Sequence, residues 1–413
     1  MDTPLFPRFA ERAVRAALAD TRVVVINGAR QVGKSTLADN VVPPGSRVLT
    51  LDDAAVLAAA RADPADFVRH EGLLFIDEVQ RAPELLLAIK ADVDRRPAPG
   101  RYLLTGSAQI LALPRLSDSL AGRMEIVELW PLSQGELRRR KEKEPFIDEL
   151  LAGGAGLRVT SELVKHDYLE LAVRGGFPEA VRRAEPGRRA RWFDAYVTTL
   201  VQRDIADLAN LERLADLPRL LRLVAARTAN VINVDGMARD AGVPPSTLRR
   251  YMALLETAFL IERVPAWSSS RTTRVVHAPK LFVADSGLAA HLLGASAARL
   301  ARPGQDSGPV LETFVAMELR RQAGWGDEPV TLHHFRTRDG AEVGAVLETA
   351  DGRVAGVEVK AGATVRAEDF RGLRQLRGQA GDAFVAGVVL YTGPDPLPFG
   401  DGLWAVPVSS LWE

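Results

Sequence analysis

Short apolar runs alternate with Ala/Leu-rich stretches over the first third of the chain. Val23-Val24-Val25-Ile26 and Leu73-Leu74-Phe75-Ile76 are apolar at every position rather than at every second one. That is the pattern of strands covered on both faces of a parallel sheet. Arg101-Tyr102-Leu103-Leu104 and Arg47-Val48-Leu49-Thr50-Leu51 add two more, so at least four strands fall near residues 22, 47, 72 and 101. Leu129-Trp130-Pro131-Leu132 reads as a fifth strand or its exit. Strands alternating with helical stretches predict a doubly wound α/β domain over residues 1–150.

The periodicity changes after the charged run at 138–145 and the linker Gly153-Gly154-Ala155-Gly156. Residues 157–300 are mainly helical, and 235–251 carry a helix-turn-helix pattern within a winged-helix segment at about 213–265. Gly242 turns the chain, Ser246 is expected to cap the second helix, and Leu248, Met252 and Leu255 are expected to face inward. Phe259 to Val264 follows as a wing strand. Thr247, Arg249 and Arg250 would then face phosphates or base edges of DNA, unless the unit serves protein packing. A Pro/Gly break at 302–309 introduces a smaller α/β domain over 308–413, with a helix at 310–322 and strands near 333, 342, 354 and 384.

The strand tips carry the chemistry. Directly after the first strand stands Gly28-Ala29-Arg30-Gln31-Val32-Gly33-Lys34-Ser35-Thr36, a complete phosphate loop followed by a helix-forming stretch at 35–40. Its glycines let successive backbone N–H groups face one anion at a helix N-terminus. Lys34 would reach the β/γ-phosphates and Ser35 would ligate Mg²⁺. Asp77 and Glu78 end the next buried strand, placed to support the metal and to orient or deprotonate an attacking water. Thr105 and Ser107 stand at a third tip, where either hydroxyl would sense the γ-phosphate, or serve only a turn.

Composition narrows the partners. With 413 residues the chain is too long for one core, so two or three domains are expected. No apolar run is long enough to span a bilayer and no secretory leader is recognisable, which makes the cytoplasm the expected compartment and a membrane partner unsupported. The absence of Cys excludes disulfides, thiolate metal sites and a cysteine nucleophile. The 53 basic and 53 acidic residues cancel, so any DNA binding rests on local patches. Arg182, Arg183, Arg188, Arg189 and Arg191 form one such cluster, readable as a phosphate-tracking surface or as a solvated face. Only seven of the basic residues are Lys, and Lys34 and Lys360 fall inside motifs that use a compact ammonium.

Several motifs together resemble the prokaryotic AAA-type (AAA+ superfamily, P-loop) ATPases with a C-terminal domain of unknown function. They are the phosphate loop, Leu-Asp-Asp at 51–53, Ile-Asp-Glu-Val-Gln at 76–80, Leu-Thr-Gly-Ser at 104–107, Leu-Ala-Gly-Arg at 120–123, Gly-Gly-Phe-Pro-Glu at 175–179, Arg-Asp-Ile at 203–205, Phe-Val-Ala-Asp-Ser-Gly-Leu at 282–288 and Val-Glu-Val-Lys at 357–360. The resemblance implies an ATP-hydrolysing core, a winged-helix middle and a restriction-endonuclease-like C-terminal fold. It makes Arg123 an arginine-finger candidate acting on a neighbouring subunit of a homo-oligomer, such as a ring. Pairing with Glu125 or Glu128 is the alternative for that side chain.

In metal-dependent nucleases of the implied fold, Glu312, Glu358 and Lys360 would belong to the site, since positions 358 and 360 share a strand face. The alternative is a surface ion pair. Where similar sequences read Glu-Val-Asp, this chain has Glu342-Val343-Gly344, so one carboxylate is missing. Of its neighbours on that face, Glu342 and Glu348 lie roughly 7 and 13 Å along the strand, which leaves Glu342 as the conceivable substitute. The expectation is therefore a cytoplasmic ATPase that uses Mg²⁺ and works as an oligomeric DNA-binding or DNA-remodelling motor. The alternatives are a nucleotide-switched regulatory protein with slow hydrolysis and an ATP-regulated nuclease, the latter disfavoured by Gly344.

Overall fold

A computed structural model describes residues 5–106, 120–140, 145–154, 156–200, 217–270, 274 and 277–413. The chain forms two compact units, Met1–Pro131 with Thr257–Phe259, and Leu132–Glu256 with Leu260–Glu413. The first unit therefore ends at Pro131 rather than near residue 150. Backbone N–H groups of the segment that follows are spent inside the second unit: Gln134 donates to Glu318, and Ile147 to Gln322.

The first unit is built on five parallel strands: β1 (Val23–Asn27), β2 (Arg47–Thr50), β3 (Leu74–Asp77), β4 (Tyr102–Gly106) and β5 (Met124–Glu128), in the spatial order β2-β3-β4-β1-β5. The fifth strand thus precedes Leu129–Leu132, which is its exit. The three central strands β3, β4 and β1 carry the continuous apolar runs because helices cover both their faces. Val23, Val25, Leu74, Ile76, Tyr102 and Leu104 pack with Ile89 and Val93 of the helix Leu85–Arg95. Val24, Ile26, Phe75 and Leu103, on the alternate face, are also buried. The helices Ala10–Asp20 and Lys34–Val41 pack on each other and on β1. Edge strand β2 is largely exposed and four residues long.

The second unit starts with helices, among them Lys165–Arg174, Pro186–Thr199 and Leu217–Ala225. Val234–Ala241 ends at Gly242 in the left-handed conformation (φ 69°), and Pro245–Thr257 follows. Leu248, Met252 and Leu255 are buried, together with Tyr251. Ser246 lies inside the first turn rather than capping it: the helix starts at Pro245, whose fixed φ and missing N–H suit that position. A three-stranded antiparallel sheet of β6 (Asn230–Val231), β7 (Ile261–Val264) and β8 (Lys280–Val283), ordered β6-β8-β7, joins these helices.

The C-terminal part of this unit runs helix Gly308–Gln322, β9 (Val330–Arg336), β10 (Glu342–Thr349), β11 (Val354–Lys360), helix Arg371–Ala380, β12 (Phe384–Tyr391), β13 (Leu397–Pro398) and β14 (Leu403–Pro407). Its six-stranded sheet is ordered β13-β14-β12-β11-β10-β9, antiparallel from β9 to β11 and parallel from β11 through β12 to β14. The pairing of β10 with β9 shifts between Val343 and Val346, so an irregularity falls at Gly344 and Ala345.

One buried ion cluster ties helix to sheet in the first unit. Asp92, 4% exposed, accepts hydrogen bonds from Arg96 (2.6 Å), Arg101 (2.7 Å) and the Tyr102 hydroxyl (2.8 Å). Burial pushes its carboxyl up, but the bonds from Tyr102, Arg96 and Arg101 outweigh that and hold it below the usual carboxylate range. Asp92→Asn leaves Arg101 buried without its counter-charge and should cost about 3 kcal/mol of unfolding free energy in a denaturant titration. Because the folded-state value is depressed, this contribution is complete above about pH 4 and is lost as pH falls further. The difference between wild type and variant should shrink in acid.

Candidate functional site

The phosphate loop leaves β1 at Asn27, whose side-chain oxygen accepts the Gly28 N–H at 3.0 Å. A Cβ at Gly28 would lie 2.1 Å from the Leu129 carbonyl oxygen, so only glycine lets the loop pass there. Gly33 has φ 96°, a left-handed backbone that strains any residue with a side chain. It stands immediately before the helix Lys34–Val41, whose N-terminal dipole favours an anion. The Lys34 ammonium, 5% exposed, folds back to donate to the carbonyls of Ala29 (2.8 Å) and Gly28 (3.0 Å). Arg8 braces the loop from outside the motif, donating to the carbonyls of Val32 (2.5 Å) and Trp130 (2.7 Å). No sequence signal marks Arg8.

Parallel register puts the tips of β2, β3 and β4 at one level, since Thr50 pairs with Asp77 and Ile76 with Leu104. Asp77 collects hydroxyls there from Ser35 (2.7 Å), Thr105 (2.5 Å) and Thr50 (3.4 Å). Thr105 in turn accepts the Glu78 N–H at 3.1 Å. Of the two hydroxyl candidates at this tip, Thr105 reaches Asp77, whereas Ser107 lies outside the described residues. Glu78 has φ 59°, a left-handed conformation uncommon for a side-chain-bearing residue and typical of functional turns. Its carboxylate accepts a hydrogen bond from Gln80.

Asp39, one helical turn after Ser35 and exposed, is close enough for its charge to interact with that of Asp77. Partial burial, and then the Asp77 charge, push its carboxyl above the usual range. Thr50 and Asp39 were absent from the sequence candidates. Thr50 directly precedes the Leu-Asp-Asp motif and was legible as a strand-tip hydroxyl, whereas Asp39 shows only as a polar helix position. A hard divalent cation fits this setting: Ser35 and Asp77 offer adjacent oxygens, and a positive charge relieves the repulsion between Asp39 and Asp77. Among the described residues no group of three or more His, Asp or Glu side chains is arranged to hold a metal ion. Mg²⁺ here would thus draw most of its ligands from water and phosphate.

Arg123 stands apart from this group. It immediately precedes β5, level with the start of β1, and the phosphate loop leaves the opposite end, about 15 Å away by strand rise. Its guanidinium forks onto Asp94 at 2.5 and 3.0 Å, not onto Glu125 or Glu128. That bond raises the Arg123 pKa and lowers that of Asp94. In the second unit Arg249 and Arg250 are exposed and Thr247 half-buried, while Leu248 between them is buried.

The C-terminal candidates do converge. Glu312, Glu342, Glu358 and Lys360 line one cavity of about 470 Å³, and Lys280 of β8 enters it. Lys280 ion-pairs with Glu312 and with Glu342, the latter at 2.5 Å. Lys360 donates to Glu358 at 3.1 Å. Burial, only partly offset by Lys280 and reinforced by repulsion from Glu358 and Glu342, pushes Glu312 up to about 7. Burial likewise raises Glu358, whereas on Glu342 the burial effect is outweighed by Lys280, which holds it below its usual range. Glu348 is directed elsewhere, to Arg274 and to His333. Lys280 was missed, although the scarcity of lysine that drew attention to Lys34 and Lys360 applies to it equally.

Residues 20–138 match the family model of the AAA domain, residues 165–299 that of the domain of unknown function DUF8612, and residues 307–411 that of the domain of unknown function DUF4143. With the β2-β3-β4-β1-β5 sheet and its phosphate loop, the first unit is a P-loop AAA-type nucleotide-binding domain, in a chain that ends in a DUF4143 domain. Uncharacterized proteins of Mycobacterium tuberculosis and Mycobacterium bovis are each 29% identical over 98% of this chain and 84% of their own length. An uncharacterized protein of Haemophilus influenzae is 26% identical over 53% of this chain and 51% of its own. Among solved structures, a RuvB variant of Thermotoga maritima aligns over 62% of this chain and 86% of its own at 20% identity and a TM-score of 0.27. A DNA polymerase III gamma subunit-related protein of the same organism aligns over 60% and 97% at 13% identity and a TM-score of 0.23.

Arg8 gives this geometry a direct check. Arg8→Ala removes two hydrogen bonds that hold the phosphate loop from behind, and nucleotide affinity, measured by titration with a fluorescent ATP analogue, should fall about tenfold. Thermal stability of the protein without nucleotide should change little.

Proposed function

We propose that the first unit hydrolyses ATP with Mg²⁺ and that the chain uses this cycle to act on DNA as a homo-oligomer. The observation that carries the reading is the Asp77 carboxylate, which gathers Ser35 of the phosphate loop and Thr105 of β4 beside Glu78. Residues 28–36 would cradle the phosphates, with Lys34 leaving its two carbonyls to meet them. Ser35 and Asp77 would hold the metal, which when bound neutralises charge on the phosphates. Glu78 would exchange Gln80 for a water and orient it toward the γ-phosphate.

Arg123 is proposed to act on the site of a neighbouring subunit, because its position at the other end of β5 excludes its own. That role requires it to exchange Asp94 for phosphate, a trade of one anionic partner for another. Oligomer contacts would therefore control turnover. For the middle region, the helix Pro245–Thr257 with Arg249 and Arg250 exposed, and the three-stranded sheet beside it, support a winged-helix reading in which these side chains meet the DNA backbone.

The engagement of Glu78 by Gln80 and of Arg123 by Asp94 also supports a second reading, a nucleotide-switched regulator that hydrolyses slowly. Turnover measured with and without single-stranded, duplex and branched DNA separates the two. Stimulation of tenfold or more by one DNA form supports the motor, and indifference to all of them supports the switch.

Glu78→Gln should keep ATP affinity within about threefold while turnover drops by at least about a hundredfold, the contribution expected of a general base. Unchanged turnover would remove Glu78 from the mechanism. Arg123→Ala should reduce turnover without weakening ATP binding. Mixing it with Glu78→Gln protein should restore part of the activity if the arginine works across subunits.

A further inference from the structure

Lys280 is spent in a way that the nucleotide chemistry does not require. It opens β8, followed by the buried Leu281, Phe282 and Val283, and its side chain is 2% exposed. Burying an ammonium so completely is unfavourable unless anions meet it, and here two do, Glu312 from the helix Gly308–Gln322 and Glu342 from β10. The third carboxylate is engaged as well: Glu358 accepts the Gly344 N–H at 3.0 Å on one oxygen and the Lys360 ammonium at 3.1 Å on the other.

These carboxylates come from a helix and two adjacent strands, the placement from which a nuclease-like fold would coordinate a divalent cation. Such an ion needs six or more oxygen ligands at about 2.0–2.6 Å, and the carboxylate oxygens would have to be released to serve it. The residues present do not fit it. Gly344 supplies no oxygen, and a Cβ there would stand 2.6 Å from the Glu312 oxygen that Lys280 holds, so the space of the missing side chain is taken. The carboxylates are also already partnered: Lys280 and Lys360 face Glu312, Glu342 and Glu358, Arg336 lies 3.9 Å from the second Glu342 oxygen, and Asp369 lies 3.9 Å from Lys360.

We infer that the Lys280 ammonium is a built-in replacement for a divalent metal. It fills the carboxylate pocket of the C-terminal domain, excludes a metal ion from it, and fastens β8 to the helix Gly308–Gln322 and β10. With no carboxylate at position 344, a single positive charge suffices where a doubly charged ion would otherwise be needed. The pocket is a cross-brace, and the domain has no metal-dependent cleavage chemistry of its own.

Manganese binding followed by electron paramagnetic resonance on the nucleotide-free full chain tests this. Wild type and Glu358→Gln should bind the same number of Mn²⁺ ions. Lys280→Ala should gain one Mn²⁺ site at least tenfold tighter than any in wild type, and Glu358→Gln added to it should abolish the gain. A wild-type Mn²⁺ site that disappears in Glu358→Gln overturns the inference, as does a folded Lys280→Ala protein with no new site. Lys280→Met, which keeps the buried stem, replaces the alanine variant if the latter fails to fold. The comparison of wild type with Glu358→Gln decides without either.

Discussion

Three strand tips and one helix of the first unit meet at the carboxylate of Asp77. Ser35 comes from the helix that follows the phosphate loop, Thr105 from β4 and Thr50 from β2, and each directs a hydroxyl to one of its two oxygens. The arrangement depends on parallel register, which brings the carboxyl ends of neighbouring strands to one level and leaves their side chains pointing into the same crevice. It also depends on glycine at position 28, because a side chain there would collide with the Leu129 carbonyl and push the loop away from the tips. Backbone geometry and one anion thus define the site before any nucleotide arrives, a preorganisation that reduces the reorganisation needed on binding.

The second unit handles charge by burying it in matched groups. Asp285, fully buried, accepts the N–H groups of Gly176 (2.7 Å) and Leu288 (2.9 Å) and lies 3.6 Å from Arg321. Arg321 also holds Glu318, which in turn accepts the N–H of Gln134. Burial is strong enough to push Glu318 up to about 7 despite these partners. The Gly-Gly-Phe-Pro-Glu and Phe-Val-Ala-Asp-Ser-Gly-Leu motifs therefore have a structural explanation. Gly175 and Gly287 approach so closely that a Cβ on Gly287 would lie 2.8 Å from the Gly175 backbone, and Asp285 ties down the N–H beside them. Together with Lys280, this network joins the middle region to the C-terminal sheet through buried ion pairs. Breaking one partner of such a pair is costly, whereas the intact pair adds little net stability. Such contacts make one geometry far better than its neighbours, and they explain why the expected middle and C-terminal parts sit in one compact unit.

The first unit was largely legible from residue order. Apolar runs at β1, β3 and β4, a glycine-spaced loop and acidic strand tips are local features, and each forms for reasons contained within a few residues. Arg8 was not legible, since its role arises from reaching Val32 and Trp130 across 24 and 122 residues. The two open alternatives for Arg123 illustrate the same limit. Proximity in sequence suggested Glu125 or Glu128, but the helix Leu85–Arg95 brought Asp94, 29 residues away, within reach instead.

By itself the sequence determined four of the five strands of the first unit, the phosphate loop and the absence of a carboxylate at position 344, because those follow from local geometry and from which atoms a residue has. Tertiary structure alone decided what those atoms touch. It brought the Ser35, Thr50 and Thr105 hydroxyls to Asp77, directed Arg123 to Asp94, and drove Lys280 of β8 into the pocket where Glu312, Glu342 and Glu358 converge. Desolvation is the reason: a charge taken out of water must find its partner wherever the fold supplies one, and those partners lie 32 and 62 residues along the chain.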